Sequence, residues 1–224
     1  MIADVAGNFR VIDAPQRSSA WFAARAGRVT GSVAAAMMAN GKGKGAESVQ
    51  RRDLRIRLAL ERITGQPEED GSGYVSTAMQ HGIDTEAEAV AAYEVLTGQM
   101  VSTTGFLSHN VLQAGCSLDG HIGEFDGICE FKCPKSSTHL RYLREKVLPD
   151  DYKWQVIHNL LITNASYCDF VSYDPRMPPE LQVFRVRVSV DTFDLPAYHL
   201  ALTLFLSEVD KEVTSILALA GAAA

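Results

Sequence analysis

Apolar positions along the 224-residue chain recur with two periods, and the change between them marks out the elements. After Pro15, the segment from Gln16 opens a helical pattern around Trp21, Phe22 and Ala24. Val29-Thr-Gly-Ser32 leads into a second helical run, Ser32–Met38, for which Ser32 is the expected N-cap. Ser48–Thr64 is the strongest helical segment. Leu54, Leu58 and Ile63 with Ile56, Ala59 and Leu60 form its broad apolar face, while Arg51, Arg52 and Arg55 collect elsewhere. Gln66–Ser76 is polar and reads as a loop. Ile83–Leu96 is helical again, with Ala87, Val90, Ala91 and Leu96 expected inward and Gly98 as its stop.

Beyond Gly98 the period shortens to that of strands, expected at Val101–Leu107, Gln113–His121, Gly127–Cys133, Asp169–Tyr173 and Val183–Val190. A helix over Tyr152–Thr163 separates the last two strands from the others, and Asp191–Leu219 holds a final helical stretch that either caps the core or packs at a subunit interface. Asn40–Gly45 is a glycine-rich loop without Gly-Lys-Ser/Thr at P-loop spacing, so it reads as solvated and not as a nucleotide site. No internal repeat is present. Helices, meandering strands, helix, hairpin and helix together predict an α+β or mixed α/β fold in one domain over residues 1–224, with the α/β arrangement, a mixed sheet flanked by helices, preferred.

Composition is ordinary for a globular chain, with 46% hydrophobic and 21% charged residues. The N-terminal MIADVAGNFRVIDAPQ lacks the basic start and apolar run of a signal peptide, and the apolar run His199–Leu206 is too short to span a bilayer, so no membrane role is expected. Cys116, Cys129, Cys133 and Cys168 form no C-x-x-C pair or zinc repeat. They are expected as free packing residues in a reducing cytoplasm. The six histidines show no ligand spacing and read as structural or surface residues. A net charge of -6 argues against a generic basic coat for nucleic acid, but its distribution is uneven. Residues 1–65 hold eleven Lys/Arg against five Asp/Glu, whereas 63–131 hold eleven Asp/Glu and no Lys or Arg. An acidic centre flanked by basic segments suits a cation-dependent site acting on a polyanion. The competing reading is that most of these acids only solvate surfaces.

The stretch CSLDGHIGEFDGICEFKCP (116–134) concentrates the candidate chemistry. It reads as two strands around a glycine-rich turn. Alternation puts Glu130 and Lys132 on one face and Cys129, Phe131 and Cys133 on the other. A turn over Gly123–Gly127 sets Asp119 opposite Glu130, with Cβ atoms roughly 5 Å apart. Two carboxylates that close repel unless one is protonated or a cation sits between them. A hard divalent ion with oxygen ligands resolves the repulsion, and a neighbouring lysine can orient or deprotonate its water. The plain alternative is an exposed polar hairpin face with a weak Glu130–Lys132 bridge. Glu86 near the start of a helix, the i, i+3 pair Tyr152 and Gln155, and Arg176 on a turn after a strand favour the first reading.

In order, WFAARAGRVTGS (21–32), HGIDTE (81–86), CSLDG (116–120), CEFKCP (129–134), YKWQV (152–156) and YDPRM (173–177) make the chain resemble the phage lambda exonuclease family, a branch of the PD-(D/E)xK nucleases. The resemblance implies a restriction-endonuclease-like core over about 77–190, N-terminal helices over 16–64 that contact DNA ends, and a C-terminal helix over about 191–219. It implies that Asp119, Glu130 and Glu86 ligate Mg2+ (or Mn2+), that Lys132 acts on the attacking water, and that Tyr152 and Gln155 line the cluster. It places Arg25, Ser32 and Ser117 at a DNA 5′-phosphate, with Lys135, Arg141 and Arg176 as further DNA contacts. Trp21 reads as core. The implied activity is 5′→3′ degradation of one strand of double-stranded DNA to mononucleotides, leaving 3′ overhangs for recombination. The implied partners are double-stranded DNA ends, a single-strand annealing recombinase protein and two further copies in a homotrimer ring, in the cytoplasm of a bacterial host carrying a phage or prophage. One departure stands out: Thr138 occupies the position of a family phosphate-pocket arginine, with Lys135 and Arg141 as near substitutes. Alternatives are a restriction- or repair-type endonuclease, a non-catalytic DNA-end binding module and, last, a glycosidase using Asp119 and Glu130 as its carboxylate pair.

Overall fold

The computed structural model describes residues 8–43, 45–68 and 77–222. Lys44 of the expected Asn40–Gly45 loop and residues 69–76 of the expected Gln66–Ser76 loop lie outside the described residues. The chain runs β1 (Phe9–Ile12), α1 (Ser19–Arg25), β2 (Val29–Thr30), a 3₁₀ turn (Gly31–Val33), α2 (Ala34–Met38), α3 (Val49–Thr64) and α4 (Thr77–Thr97). It continues through β3 (Phe106–His109), β4 (Ala114–Cys116), β5 (Gly120–Ile122), β6 (Gly127–Lys132), α5 (Ser136–Glu145), α6 (Asp150–Thr163), β7 (Tyr167–Tyr173), β8 (Val183–Ser189) and α7 (Leu195–Ala222).

The α/β class is as expected, but the strands divide into two four-stranded mixed sheets, ordered β1-β3-β4-β2 and β5-β6-β7-β8. The expected strand Gln113–His121 is broken into β4 and β5, and the chain passes from one sheet to the other through Ser117-Leu118-Asp119. A side chain explains the break. The Asp119 carboxylate accepts the Phe131 N–H at 2.8 Å and takes the place of a ladder bond. The expected strand Val101–Leu107 forms only from Phe106 onward, with Ser102 making an isolated bridge to His121.

Local chemistry sets the helix limits. The Ser48 hydroxyl accepts the Arg51 N–H at 3.1 Å to start α3, and Gly65 at φ 67 ends it in the left-handed region. Ser32 does not cap α2. Residues Gly31–Val33 first form the 3₁₀ turn, so α2 starts after Val33 and the Ser32 hydroxyl is free for another use. On α4 the inward face differs from the expected one: Thr85, Ala89 and Tyr93 are buried, Val90 is half-buried, and Ala87, Ala91 and Leu96 are exposed. Burial of the large Tyr93 ring against Phe131, with its hydroxyl donating to Asp169 at 2.7 Å, sets the rotation of the helix. The buried face of α3 is also narrower than expected, since Ile56 and Leu60 are exposed. Helix α5 was not expected from its polar sequence; it buries His139 and Tyr142 at i, i+3.

Helix α6 carries the core. Val156, Ile157, Leu160 and Ile162 are buried, and the helix packs against both sheets and against α2 and α7. Helix α7 caps this core with Tyr198, Leu202, Phe205, Leu206 and Val209 and lies along α3. Cys116, Cys129 and Cys168 are buried free thiols, as their surroundings predicted.

Candidate active site

The register of the β5–β6 hairpin pairs Gly120 with Cys129, so Asp119, one residue before β5, stands opposite Glu130 as alternation predicted. Gly120 is needed there, because a Cβ would come within 2.3 Å of the Val101 side chain. Phe131 and Cys129 point into the cluster under α4, leaving Glu130 and Lys132 on the other face. That face is not open surface: Glu130 is 1% exposed. The Lys132 ammonium bonds the Glu130 carboxylate, donates to Asp119 Oδ2 at 3.2 Å, and lies 5.5 Å from the Tyr152 ring centre. Gln155, one turn along α6 from Tyr152, donates to Glu130 Oε1 at 2.5 Å. Five residues drawn from two distant segments thus meet at one point.

The electrostatics are those of crowded negative charge. Burial, then repulsion from Asp119, raises the Glu130 carboxyl to about 7, against the opposing pull of Lys132. Glu86, half-buried on α4, is also raised, first by burial and then by Asp119, with Lys132 and Arg17 pulling the other way. Burial alone would lower the Lys132 pKa, but Glu130 and Asp119 together raise it, so lysine stays an ammonium. Burial pushes the Tyr152 phenol up to about 12. Among the described residues no three His, Cys, Asp or Glu side chains form one tight metal-holding group. The Asp119–Glu130 pair is in place, Glu86 stands further out, and the cation between the pair is Lys132.

Beside this pair lies a second constellation. Arg25, at the end of α1, donates to Ser117 Oγ at 3.3 Å, Thr30 Oγ1 at 3.2 Å and Ser32 Oγ at 3.2 Å. Its guanidinium stacks 4.2 Å from the Trp21 ring, and the Trp21 indole N–H also donates to Ser117 Oγ, at 2.8 Å. Trp21, expected in the core, is therefore part of this cluster. Burial lowers the Arg25 pKa to about 10, which leaves it charged at neutral pH. The two constellations adjoin through Gly31, where a Cβ would come within 2.5 Å of Asn159 and 3.2 Å of Gln155, both on α6. Only glycine lets the Thr30–Ser32 segment lie this close to the helix that holds Glu130.

The three outer cations are less clearly gathered. Lys135 precedes α5 and is exposed, and Arg141 lies on α5 over the Tyr142 ring at 5.2 Å. Thr138 is in the first turn of α5. Arg176 pairs with the buried Asp174 at 2.6 Å and donates to the Pro134 carbonyl at 3.0 Å, while about half of its side chain stays exposed. The basic surplus of the N-terminal third is likewise largely used inside the fold, where Arg51, Arg55 and Arg62 pair with Glu208, Glu212 and Asp210 of α7. Thr30 was missed from sequence; its signal was the T-x-S spacing about Gly31.

A mixed α/β fold with this carboxylate–lysine hairpin is the architecture of a nuclease of the alkaline exonuclease type. Residues 20–166 match the YqaJ-like viral recombinase domain, and the chain belongs to that family. It is similar to the alkaline exonuclease LHK-Exo from Laribacter hongkongensis, with 31% identity and a TM-score of 0.81 over 92% of this chain and 100% of that one. LHK-Exo in complex with dAMP matches equally, with 32% identity, a TM-score of 0.80 and the same coverage of 92% and 100%. A phage-related exonuclease from Haemophilus somnus 129PT shares the fold at 15% identity and a TM-score of 0.63, over 85% of this chain and 95% of that one. No curated protein sequence matches the chain.

Proposed function

We propose that the protein is a divalent-metal-dependent exonuclease that degrades one strand of linear double-stranded DNA from its 5′ end, releases mononucleotides and leaves 3′ overhangs for recombination by strand annealing. The observation that carries this reading is the junction of Asp119, Glu130, Lys132 and Gln155 beside the Arg25–Ser32–Ser117 cluster. A carboxylate raised first by burial and then by its carboxylate neighbour is one that a cation between the two would stabilise, and this all-oxygen donor pair suits a hard metal such as Mg2+ or Mn2+. Asp119 and Glu130 would hold it with Glu86 in support, and when bound it supplies Lewis-acid activation of the phosphodiester and its attacking water.

The protein's own groups do the rest. Gln155 fixes the Glu130 carboxylate, and Lys132, an ammonium in contact with both acids, is placed to orient water and offset charge growing on a phosphate oxygen. Arg25 with the hydroxyls of Thr30, Ser32 and Ser117 forms a cationic, donor-rich pocket suited to a terminal phosphomonoester, which carries about one charge more than an internal diester. Thr138 adds no charge there, so selection of phosphorylated ends rests on Arg25. The complex of LHK-Exo with dAMP, a mononucleotide, supports a mononucleotide product. Action as one nuclease domain in a homotrimeric ring, beside an annealing protein in the bacterial cytoplasm, belongs to the same proposal and is supported by the family resemblance; free buried thiols agree with a reducing compartment.

The test is end-labelled linear duplex with Mg2+, bearing 5′-phosphate or 5′-hydroxyl ends, alongside sealed circular duplex. Nucleotides should leave only from 5′ ends, faster from phosphorylated ones, with circles intact. Nicked circles would make the protein an endonuclease, and binding without release a DNA-end module.

A further inference from the structure

Four described residues other than glycine have left-handed backbone: Arg17, Phe125, Lys146 and Asn164. Lys146 and Asn164 end α5 and α6, and Phe125 sits in the turn between β5 and β6. Arg17, at φ 67, is the third residue of the turn Pro15–Ser18, closed by the Ser18 N–H on the Pro15 carbonyl at 3.0 Å just before α1, a position that favours glycine. A glycine would adopt that conformation without steric cost, whereas arginine adopts it at a cost in stability. The side chain that incurs this cost is exposed and makes no hydrogen bond or ion pair among the described residues. By contrast Arg25, Arg51, Arg55, Arg62, Arg176 and Arg187 are each tied to named partners.

Its position gives the free cation a use. The preceding residue, Gln16, donates to the Leu118 carbonyl at 3.2 Å, which fixes this turn between Ser117 of the Arg25 cluster and Asp119 of the carboxylate pair. Arg17 also lies within electrostatic reach of Glu86 on α4. Three carboxylates against one lysine leave the site net negative and repellent to DNA phosphates, so an uncommitted guanidinium at its rim offsets that repulsion where a strand must enter. Arg25 lies at the far end of α1, roughly 10 Å along the helix axis, where its guanidinium is already tied to Thr30, Ser32 and Ser117.

We propose that Arg17 contacts an internal phosphodiester of the DNA strand entering the site, separately from the end-binding cluster around Arg25. The inference rests on the nuclease reading above but is tested by binding. Arg17→Gly keeps the backbone conformation, so its melting temperature should equal or exceed that of the natural protein. Its affinity for linear duplex in EDTA, by fluorescence anisotropy, should fall about tenfold. The slope of log affinity against log salt should become shallower by about one. The loss should be equal on 5′-phosphate and 5′-hydroxyl ends, and Arg17→Lys should restore most of it. Unchanged affinity and salt slope in the glycine variant would overturn the proposal. So would a variant that binds normally but needs a different metal concentration for cleavage, which would make Arg17 a partner of Glu86. Failure of the natural protein to release nucleotides in a parallel Mg2+ assay would instead strike the nuclease reading, and the binding comparison would still decide Arg17.

Discussion

Glu130 is a carboxylate with almost no water around it, and its neighbours divide the work of making that tolerable. Burial and Asp119 push it towards the neutral form; Lys132 and Gln155 hold it in place. Replacing Lys132 should therefore separate chemistry from binding. Lys132→Ala should lower cleavage about 10²–10³-fold, the usual worth of a group that stabilises charge developing in the transition state, while duplex binding measured in EDTA stays within a few-fold. Single-turnover cleavage with anisotropy on the same preparations checks this. Asp119→Ala should go further and flatten the dependence of cleavage on Mg2+, because one of two opposed acids is lost together with the anchor of Phe131. At this scale the sequence was informative: alternation alone put Glu130 and Lys132 on one face and Asp119 across from them. The bonded indole of Trp21 was not legible, since its partner Ser117 lies 96 residues away, whereas Thr30, five residues from Arg25, left a signal only in its T-x-S spacing. Arg176 shows the converse: a turn after a strand was recognisable, but its capture by buried Asp174 was not.

Helix α6 joins site and core. Gln155 faces Glu130, while His158, one turn on, is wholly buried between Gly115 of β4 and Tyr198 of α7. A carbonyl can only accept, so His158 donates Nε2–H to Gly115 O at 3.0 Å, and its Nδ1 accepts the Tyr198 hydroxyl at 2.8 Å. That is a neutral ring, and burial lowers its pKa to about 4. Below the ordinary value of about 6.5 the unfolded chain binds a proton that the folded one does not. Stability is then complete above about pH 6.5 and falls by about 3 kcal/mol between there and pH 4. Urea unfolding across that window should show the decline, and His158→Asn should remove this part of it. Helices α3 and α6 were readable to within a few residues, the first from its apolar stripe and the second from a run of apolar residues buried on most sides. The face of α4 was not, because the bond from Tyr93 to Asp169 sets its rotation and strand β7 supplies the partner. The α5 stripe of His139, Tyr142 and Leu143 has helical spacing but covers little more than one turn of a ten-residue polar segment.

Across the whole molecule, the charge pattern had a second meaning. A basic first third and an acidic centre suggested a polyanion site, yet Arg51, Arg55 and Arg62 spend much of that charge on α7, with Glu47 joining the first two. These pairs span about 150 residues of sequence, so no local pattern revealed them. Their side chains are partly exposed, and as a network they are worth roughly 1 kcal/mol together. The double substitution Glu208→Gln with Glu212→Gln should lower the unfolding free energy by about that much at low salt, and the gap should close towards 1 M salt. The division into two sheets was also beyond the sequence. It needs the side chain of Asp119 to replace a backbone bond, and nothing in strand periodicity distinguishes such an aspartate from any other polar residue.

The turn at Gly27 joins these scales. Its N–H donates to Glu61 at 2.7 Å, its carbonyl accepts from Arg62 at 2.8 Å, and a Cβ there would come within 2.5 Å of the Arg62 side chain. Arg62 in turn reaches Asp210 of α7 at 2.6 Å. Arg25 stands two residues before this turn and Thr30 three residues after it, so the cluster they form is tied through Gly27 and Arg62 to the last helix, and a change at α7 that displaces Asp210 reaches it through two side chains.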